Sequence, residues 1–284
     1  MLKVACAPSK VRWLASRAMH NLPLIKSFVE KRETTQLVEL ARRSAEQEQD
    51  FRVLHSGWAR KTVPFDTEKV LSQLARIDAA NGNYVLSGVI QSKHFSRIYE
   101  YPYAAYHLRD VRKDGRVLDC GCGTTSFQFY LAEQGFEVHA VDDWLPCLER
   151  VADLKKQSGL TNLNPTFGSV FKIPFEDSYF DGASCISVIE HALTPYENSK
   201  VMLKGAINEM LRVLRKGAPL VLTFDVNFGT EQRHLVPNEY AELCDILRIK
   251  TTPLPEDRLY SSDTKEGLLM GKDLAVYSVT LAKN

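Results

Sequence analysis

The run Val117-Leu118-Asp119-Cys120-Gly121-Cys122-Gly123-Thr124-Thr125-Ser126 constrains this chain more than any other segment. A short apolar strand leads into two glycines, and a helical pattern begins at Phe127. Glycines there let the backbone turn tightly and approach a ligand closely. A glycine pair alone is a weak signal, and its place between a strand and a helix strengthens it. From residue 116 onward strands and helices alternate. The pattern predicts strands over 116–120, 136–141, 164–167, 180–188 and 220–224, and helices over 127–131, 146–156 and 199–214. In the last helix Leu203, Ile207, Met210, Leu211 and Leu214 share one face, and Gly217 follows as a helix-ending glycine. Residues 237–247 read as a further helix, and 275–281 alternate as a strand suited to an antiparallel edge. Parallel neighbours need crossover connections, so this order predicts an α/β fold with a mostly parallel sheet.

The chain ahead of this unit divides in two. Residues 1–33 form a basic arm, with Lys3, Lys10, Arg12, Arg17 and Lys26 and no acid before residue 30. Such an arm is a solvated extension or a peripheral dock to an anionic surface. Within it, Pro8 and Pro23 bracket a possible helix containing Val11, Leu14, Ala15 and Ala18. Residues 34–112 read as a helical extension that caps the substrate side, and 113–284 as the ligand-binding domain. In the extension a helix is expected over 35–60, with a thin apolar stripe of Leu37, Leu40 and Ala41. A second is expected over 66–80, capped by Asp66, carrying Val70, Leu74 and Ile77 on one face and ending at Asn81-Gly82. The segment 97–106 is dense in aromatics. Tyr99, Tyr101, Tyr103 and Tyr106 could roof a pocket or pack the core, and Arg97 or Glu100 could reach a ligand.

Bulk properties exclude several functions. Lys+Arg number 36 against 35 Asp+Glu, a net charge of +1, which is not the footprint of a nucleic-acid binder. No stretch reaches the roughly 18–20 apolar residues of a membrane span, and a cytoplasmic protein is expected. Cys120 and Cys122 lack a second close pair, so no metal site is expected. The six cysteines read as buried thiols.

In open α/β sheets ligands bind beyond the carboxyl ends of the strands. Asp142 ends the second strand, 19 residues after Gly123, where an acid can accept hydrogen bonds from both hydroxyls of a ribose. Nicotinamide cofactors use the same device. A pyrophosphate binder would carry a third glycine where this chain has Ser126, and Asp119 in the first loop opposes phosphate and suits an ammonium group. The balance favours adenosylmethionine over NAD.

Taken together, VLDCGCGTTSFQFYLAEQGFEVHAVD, SVFKIPFEDSYFDGASCISVIEH and EMLRVLRKGAPLVLTF resemble the ordered motifs of class I S-adenosylmethionine-dependent methyltransferases, in particular the type 11 small-molecule group. The resemblance spans 117–225 and implies a Rossmann-like methyltransferase sheet with an antiparallel edge strand and an N-terminal helical extension. It implies S-adenosyl-L-methionine as cofactor and S-adenosyl-L-homocysteine as product. Asp119, Gly121, Cys122 and Gly123 would hold the methionine end, Asp142 and Asp143 would lie at the ribose and adenine, and Ser169, Val170 and Phe171 would flank the base. Ile186 and Ser187 would line the site. Ser169 stands where the family has an acid, Thr125 where a glycine is common, and Asp143 where an apolar residue packs on adenine, a part Trp144 could take. Glu190 and His191 follow the fourth strand at its site-facing end. His191 could act as the base that an oxygen or nitrogen acceptor requires, or the pair could brace the loop. Asp225 is a further site-facing candidate, while His107 and His234 read as surface or packing residues. The implied function is methyl transfer to an O or N atom of a small molecule or glycan precursor; the alternative is a non-catalytic adenosylmethionine-binding sensor or partner subunit.

Overall fold

A computed structural model describes residues 23–58, 67–81, 96–193, 197–229, 234–256 and 273–284, with side chains from Thr34 onward. The helix expected within residues 1–22, the Asp66 cap, Gly82 and Cys6 lie outside the described residues. Seven strands form one sheet: β1 (Phe51–Trp58), β2 (Arg116–Cys120), β3 (Glu137–Asp142), β4 (Leu163–Phe167), β5 (Gly182–Ile186), β6 (Pro219–Asn227) and β7 (Leu274–Lys283). Their order is β1-β7-β6-β5-β2-β3-β4. Strands β4, β3, β2, β5 and β6 are mutually parallel, β7 runs antiparallel to β6, and β1 runs antiparallel to β7. From β2 the chain winds one way to β3 and β4, then returns to the other side of β2 with β5 and β6. The switch point lies between the carboxyl ends of β2 and β5, where such sheets hold ligands.

Helices cover both faces. Helices α1 (Pro23–Glu46), α6 (Ser199–Val213) and α7 (Pro237–Leu247) pack on one; α2 (Thr67–Ala80), α3 (Arg97–Leu108), α4 (Phe127–Glu133) and α5 (Leu145–Ser158) pack on the other. The two-residue period of a strand divides β6 between them: Leu220, Leu222 and Phe224 face α1, α6 and α7, and Val221 faces the opposite layer. Burial on both faces explains why the central strands lack polar alternation.

The sequence predicts one helix through residue 60, and the structure corrects this. Helix α1 stops at Glu46 and residues 51–58 become β1. The reason is tertiary. Strand β7 is ten residues long, and without β1 one of its edges would expose a row of unpaired backbone groups. Trp58 anchors the added strand, edge-on to Tyr277 with ring centroids 5.0 Å apart and donating Nε1–H to Pro253 O at 2.9 Å.

The aromatic segment 97–106 is the helix α3. Tyr103 is fully buried, with its hydroxyl 2.9 Å from Thr280 Oγ1, and Tyr101 stacks on Phe127 with centroids 5.0 Å apart. These two rings pack the core. His107 packs beside Tyr103, and burial lowers its pKa to about 4.

Helix α1 lies on α6 at very close range. Asn208 Nδ2 donates to Ser44 O at 3.1 Å, and Ser44 Oγ donates to Phe171 O at 3.3 Å, tying α1 to the loop after β4. A Cβ on Gly205 would sit 2.4 Å from Ala41 O. Backbone cannot yield as a flexible side chain can, so Gly205→Val should destabilise the protein by about 1–3 kcal/mol or more. An unchanged thermal midpoint would show that the two helices do not pack this closely.

Candidate functional site

The loop from β2 to α4 is built by its glycines. Gly121 and Gly123 have φ of +71° and +54°, where L side chains are strained. A Cβ at Gly121 would also lie 2.5 Å from both methyls of Val188. Gln128 Nε2 donates to Gly123 O at 3.3 Å, and the Thr125 hydroxyl sits 3.2 Å from Cys122 O and 2.9 Å from Gln128 Oε1. Thr125 therefore braces the loop. Ser126 Oγ donates to Asp78 Oδ1 on α2 at 2.8 Å.

Asp142, at the end of β3, clamps this loop. Its Oδ2 accepts the Gly123 N–H at 3.0 Å and its Oδ1 accepts the Trp144 N–H at 2.9 Å. Each carboxylate oxygen keeps a further lone pair. Beside them opens a cavity of about 520 Å³, within the range of about 300–1,000 Å³ typical of small-molecule sites. Of the residues expected there, Gly121, Asp142, Asp143, Ser169, Val170, Phe171, Ser187 and His191 line it. Asp119, Cys122, Gly123, Ile186 and Glu190 do not. Cys122 turns its thiol towards Cys147, and Ile186 belongs to the core. Trp144 is exposed and its ring is absent from the wall, so the structure does not bring it to the adenine position. Thr34 and Leu37 of α1 and Met202 of α6 close the opposite side, which sequence reading missed because α1 reaches the cavity only by docking on α6.

Beneath the cavity lies a buried polar layer. Asp119 is 3% exposed and accepts from Ser184 Oγ at 2.8 Å across the β2–β5 seam. Burial pushes its pKa up to about 7, and the charge of Asp142 acts in the same direction. Glu100 is fully buried; its Oε1 accepts from Ser187 Oγ and from Thr223 Oγ1, each at 2.6 Å. Arg97 pairs with Glu100 and donates to Ser187 Oγ at 2.6 Å. Burial opposes the charge of Glu100, yet Arg97 and the two hydroxyls outweigh it and hold the carboxyl below its usual range. Ser187 has φ +49°, a strained conformation that this network fixes.

The short 3₁₀ turn Ile189–His191 turns Glu190 inward and leaves His191 at the cavity wall. Glu190 Oε1 accepts the Asp225 N–H at 3.2 Å. Burial, followed by the charge of Asp225, pushes its pKa well up. His234, read from sequence as a surface or packing residue, stands here too: Nδ1 is 3.6 Å from Asp225 Oδ2 and its ring centroid is 6.0 Å from that of His191. The signal that could have found it is Pro237, the first residue of α7, which places His234 in the loop at the site-facing end of β6.

Residues 118–222 match the family model described as a methyltransferase domain. An uncharacterized methyltransferase of Schizosaccharomyces pombe is 30% identical over 125 residues, and an uncharacterized protein of Methanocaldococcus jannaschii is 32% identical over 111 residues. These matches cover 40% and 39% of this chain, and the chain spans 41% of either relative's length. Among solved structures, the [4+2]-cyclase SpnF superposes with a TM-score of 0.51 at 18% identity, over 64% of this chain and 79% of that one. A Haemonchus contortus phosphoethanolamine N-methyltransferase 2 in complex with S-adenosyl-L-methionine superposes at 0.51 with 15% identity, over 78% of this chain and 60% of that one.

Asp119 has a raised folded-state pKa. Its neutral form therefore favours the fold at low pH, and that contribution is lost as pH rises towards 7. Asp119→Asn should raise the thermal midpoint more at about pH 8 than at about pH 5. Equal shifts at both pH values would mean that Asp119 is not held with a raised pKa.

Proposed function

From the match of residues 118–222 to a methyltransferase domain, we propose that the chain is a class I S-adenosylmethionine-dependent methyltransferase that transfers a methyl group to an O or N atom of a small molecule or glycan precursor. The observation that carries the reading is the cavity at the β2–β5 switch point. It joins a two-glycine loop to Asp142, with Asp119 buried beside them and no phosphate-type third glycine. The residues fit the donor. Gly121 offers backbone at the methionine end, with Cys122 and Gly123 shaping the loop behind it, and Asp119 would act on an ammonium group from beneath the cavity floor rather than from its wall. Arg97, held by Glu100, is the nearby cation for a carboxylate. Asp142 and Asp143 suit the ribose and adenine side. Ser169, Val170 and Phe171 would flank the base, and Ile186 and Ser187 support that wall.

S-adenosylmethionine, when bound, supplies an electrophilic methyl on a sulfonium. The protein's part is to align donor and acceptor and to exclude water. Leu37, Val170, Phe171, Val188, Leu193 and Met202 give the cavity an apolar side, suited to an acceptor with an apolar body. His191, on the cavity wall, would manage the acceptor's proton, with Glu190 buried behind it. Among the described residues no helix is long and apolar enough to cross a membrane. The basic arm of residues 1–33 would serve for peripheral docking.

Calorimetry on the purified chain should find binding of adenosylhomocysteine in preference to NAD. Asp142→Ala should weaken it by about 1.5–3 kcal/mol, the cost of losing hydrogen bonds to a charged group. Unchanged affinity in a folded variant removes Asp142 from the ribose site.

Labelled-methyl turnover on a metabolite extract tests the activity itself. With the acceptor in hand, His191→Ala should lower kcat by roughly 10²–10⁴-fold with little change in donor affinity. Donor binding without transfer to any acceptor would instead support a non-catalytic binding module.

A further inference from the structure

Four polar groups from three separate segments converge at one edge of the cavity. Glu190 and His191 come from the turn after β5, Asp225 from β6, and His234 from the loop before α7. One ligand atom each from Glu190, His191 and His234 lie within 4.8 Å of one another. Glu190 is 5% exposed. Its Oε1 is used by the Asp225 N–H, while Oε2 is buried with no hydrogen-bond partner. The largest charge effects on Glu190 come from Asp225 and Glu100, both acids. Burying a carboxylate oxygen without a partner is costly, and buried charges are normally paired or bound to metal. Packing gives no reason to gather a buried carboxyl and two imidazoles at one point.

We infer that Glu190, His191 and His234 form a binding site for one divalent transition-metal ion. Two imidazoles and a carboxylate suit Zn²⁺, Mn²⁺, Fe²⁺ or Co²⁺, whereas Mg²⁺ and Ca²⁺ prefer oxygen ligands throughout. Asp225 adds a second carboxylate beside His234, and with it negative charge that the ion neutralises. Three protein ligands leave coordination positions open, as in catalytic rather than structural sites. His191 lines the cavity, so an ion held there would be within reach of the acceptor. The inference rests on the reading of that cavity as the transfer site, and it makes His191 a metal ligand rather than a free base. An acceptor hydroxyl bound to the ion gives its proton to solvent water more readily. Its oxygen then forms the bond to the methyl carbon as the carbon–sulfur bond breaks, with the electron pair left on sulfur. The substrate class is therefore an acceptor that presents a hydroxyl oxygen.

The test uses the purified full chain, stripped with a chelator and titrated with Co²⁺. Visible absorption reports the ligand field, and calorimetry reports stoichiometry. One Co²⁺ per chain is expected, not displaced by excess Mg²⁺. His234→Ala and Glu190→Gln should each weaken it by roughly 10–100-fold or more. His191→Ala, on an exposed side chain, provides a variant whose fold is undisturbed, with circular dichroism as the check. A folded wild-type chain that takes up no Co²⁺, or uptake unchanged in both His191→Ala and His234→Ala, overturns the site. Adenosylhomocysteine titration of the same preparation separates the two ideas. Its binding without Co²⁺ uptake removes the metal site alone. Co²⁺ uptake without its binding keeps the site and removes the transfer reading.

Discussion

Parallel strands cannot be joined by tight turns, and the structure follows from that restriction. Each crossover from β2 to β6 must leave the sheet and return, so helices cover both faces and every parallel strand ends at the same edge. Where the winding reverses, β2 and β5 lie side by side with no connection between their ends. The crevice left there is the cavity, and the Asp119–Ser184 hydrogen bond spans the seam at its floor.

A crevice of this kind is only as useful as the groups held rigidly around it. Here rigidity comes from buried polar contacts rather than from apolar packing alone. Asp142 holds the glycine loop through the Gly123 N–H. Glu100, with Arg97, Ser187 and Thr223, ties α3 to the ends of β5 and β6. Buried charge is tolerated when it is paired and hydrogen-bonded, and Glu100 meets both conditions. Glu190 does not, since one of its oxygens lacks a partner. The contrast is between Glu100, which reaches from α3 and is fully satisfied, and Glu190, in the turn after β5, which keeps one buried oxygen without a partner.

The sheet's other margin shows how a local pattern can yield to tertiary demand. Residues 51–58 continue no clear apolar alternation, yet β7 offers them a full row of backbone partners. Helix α1 likewise reaches the cavity with Thr34 and Leu37 only because Gly205 lets it approach α6 so closely.

The sequence by itself determined the parts whose information is local. The strand–glycine–helix unit at 116–131, the order of strands and helices from β2 through β7, and the site-facing places of Asp142 and His191 follow from short-range periodicity and topology, while Ser169, Val170, Phe171 and Ser187 are implied by the family resemblance. Backbone conformation at Gly121 and Gly123 is likewise written in residue type. Only the tertiary structure decided what depends on segments far apart in the chain. It turned 51–58 into a strand, set Tyr101 and Tyr103 into the core, and left Trp144 outside the cavity. It brought His234 to Glu190 and His191 across more than forty residues. Local propensity sets the elements, but a side chain's partners and solvent exposure arise when those elements pack. The chemistry of Glu190 depends on that step, because a carboxyl group acquires its altered proton affinity only once burial removes its water.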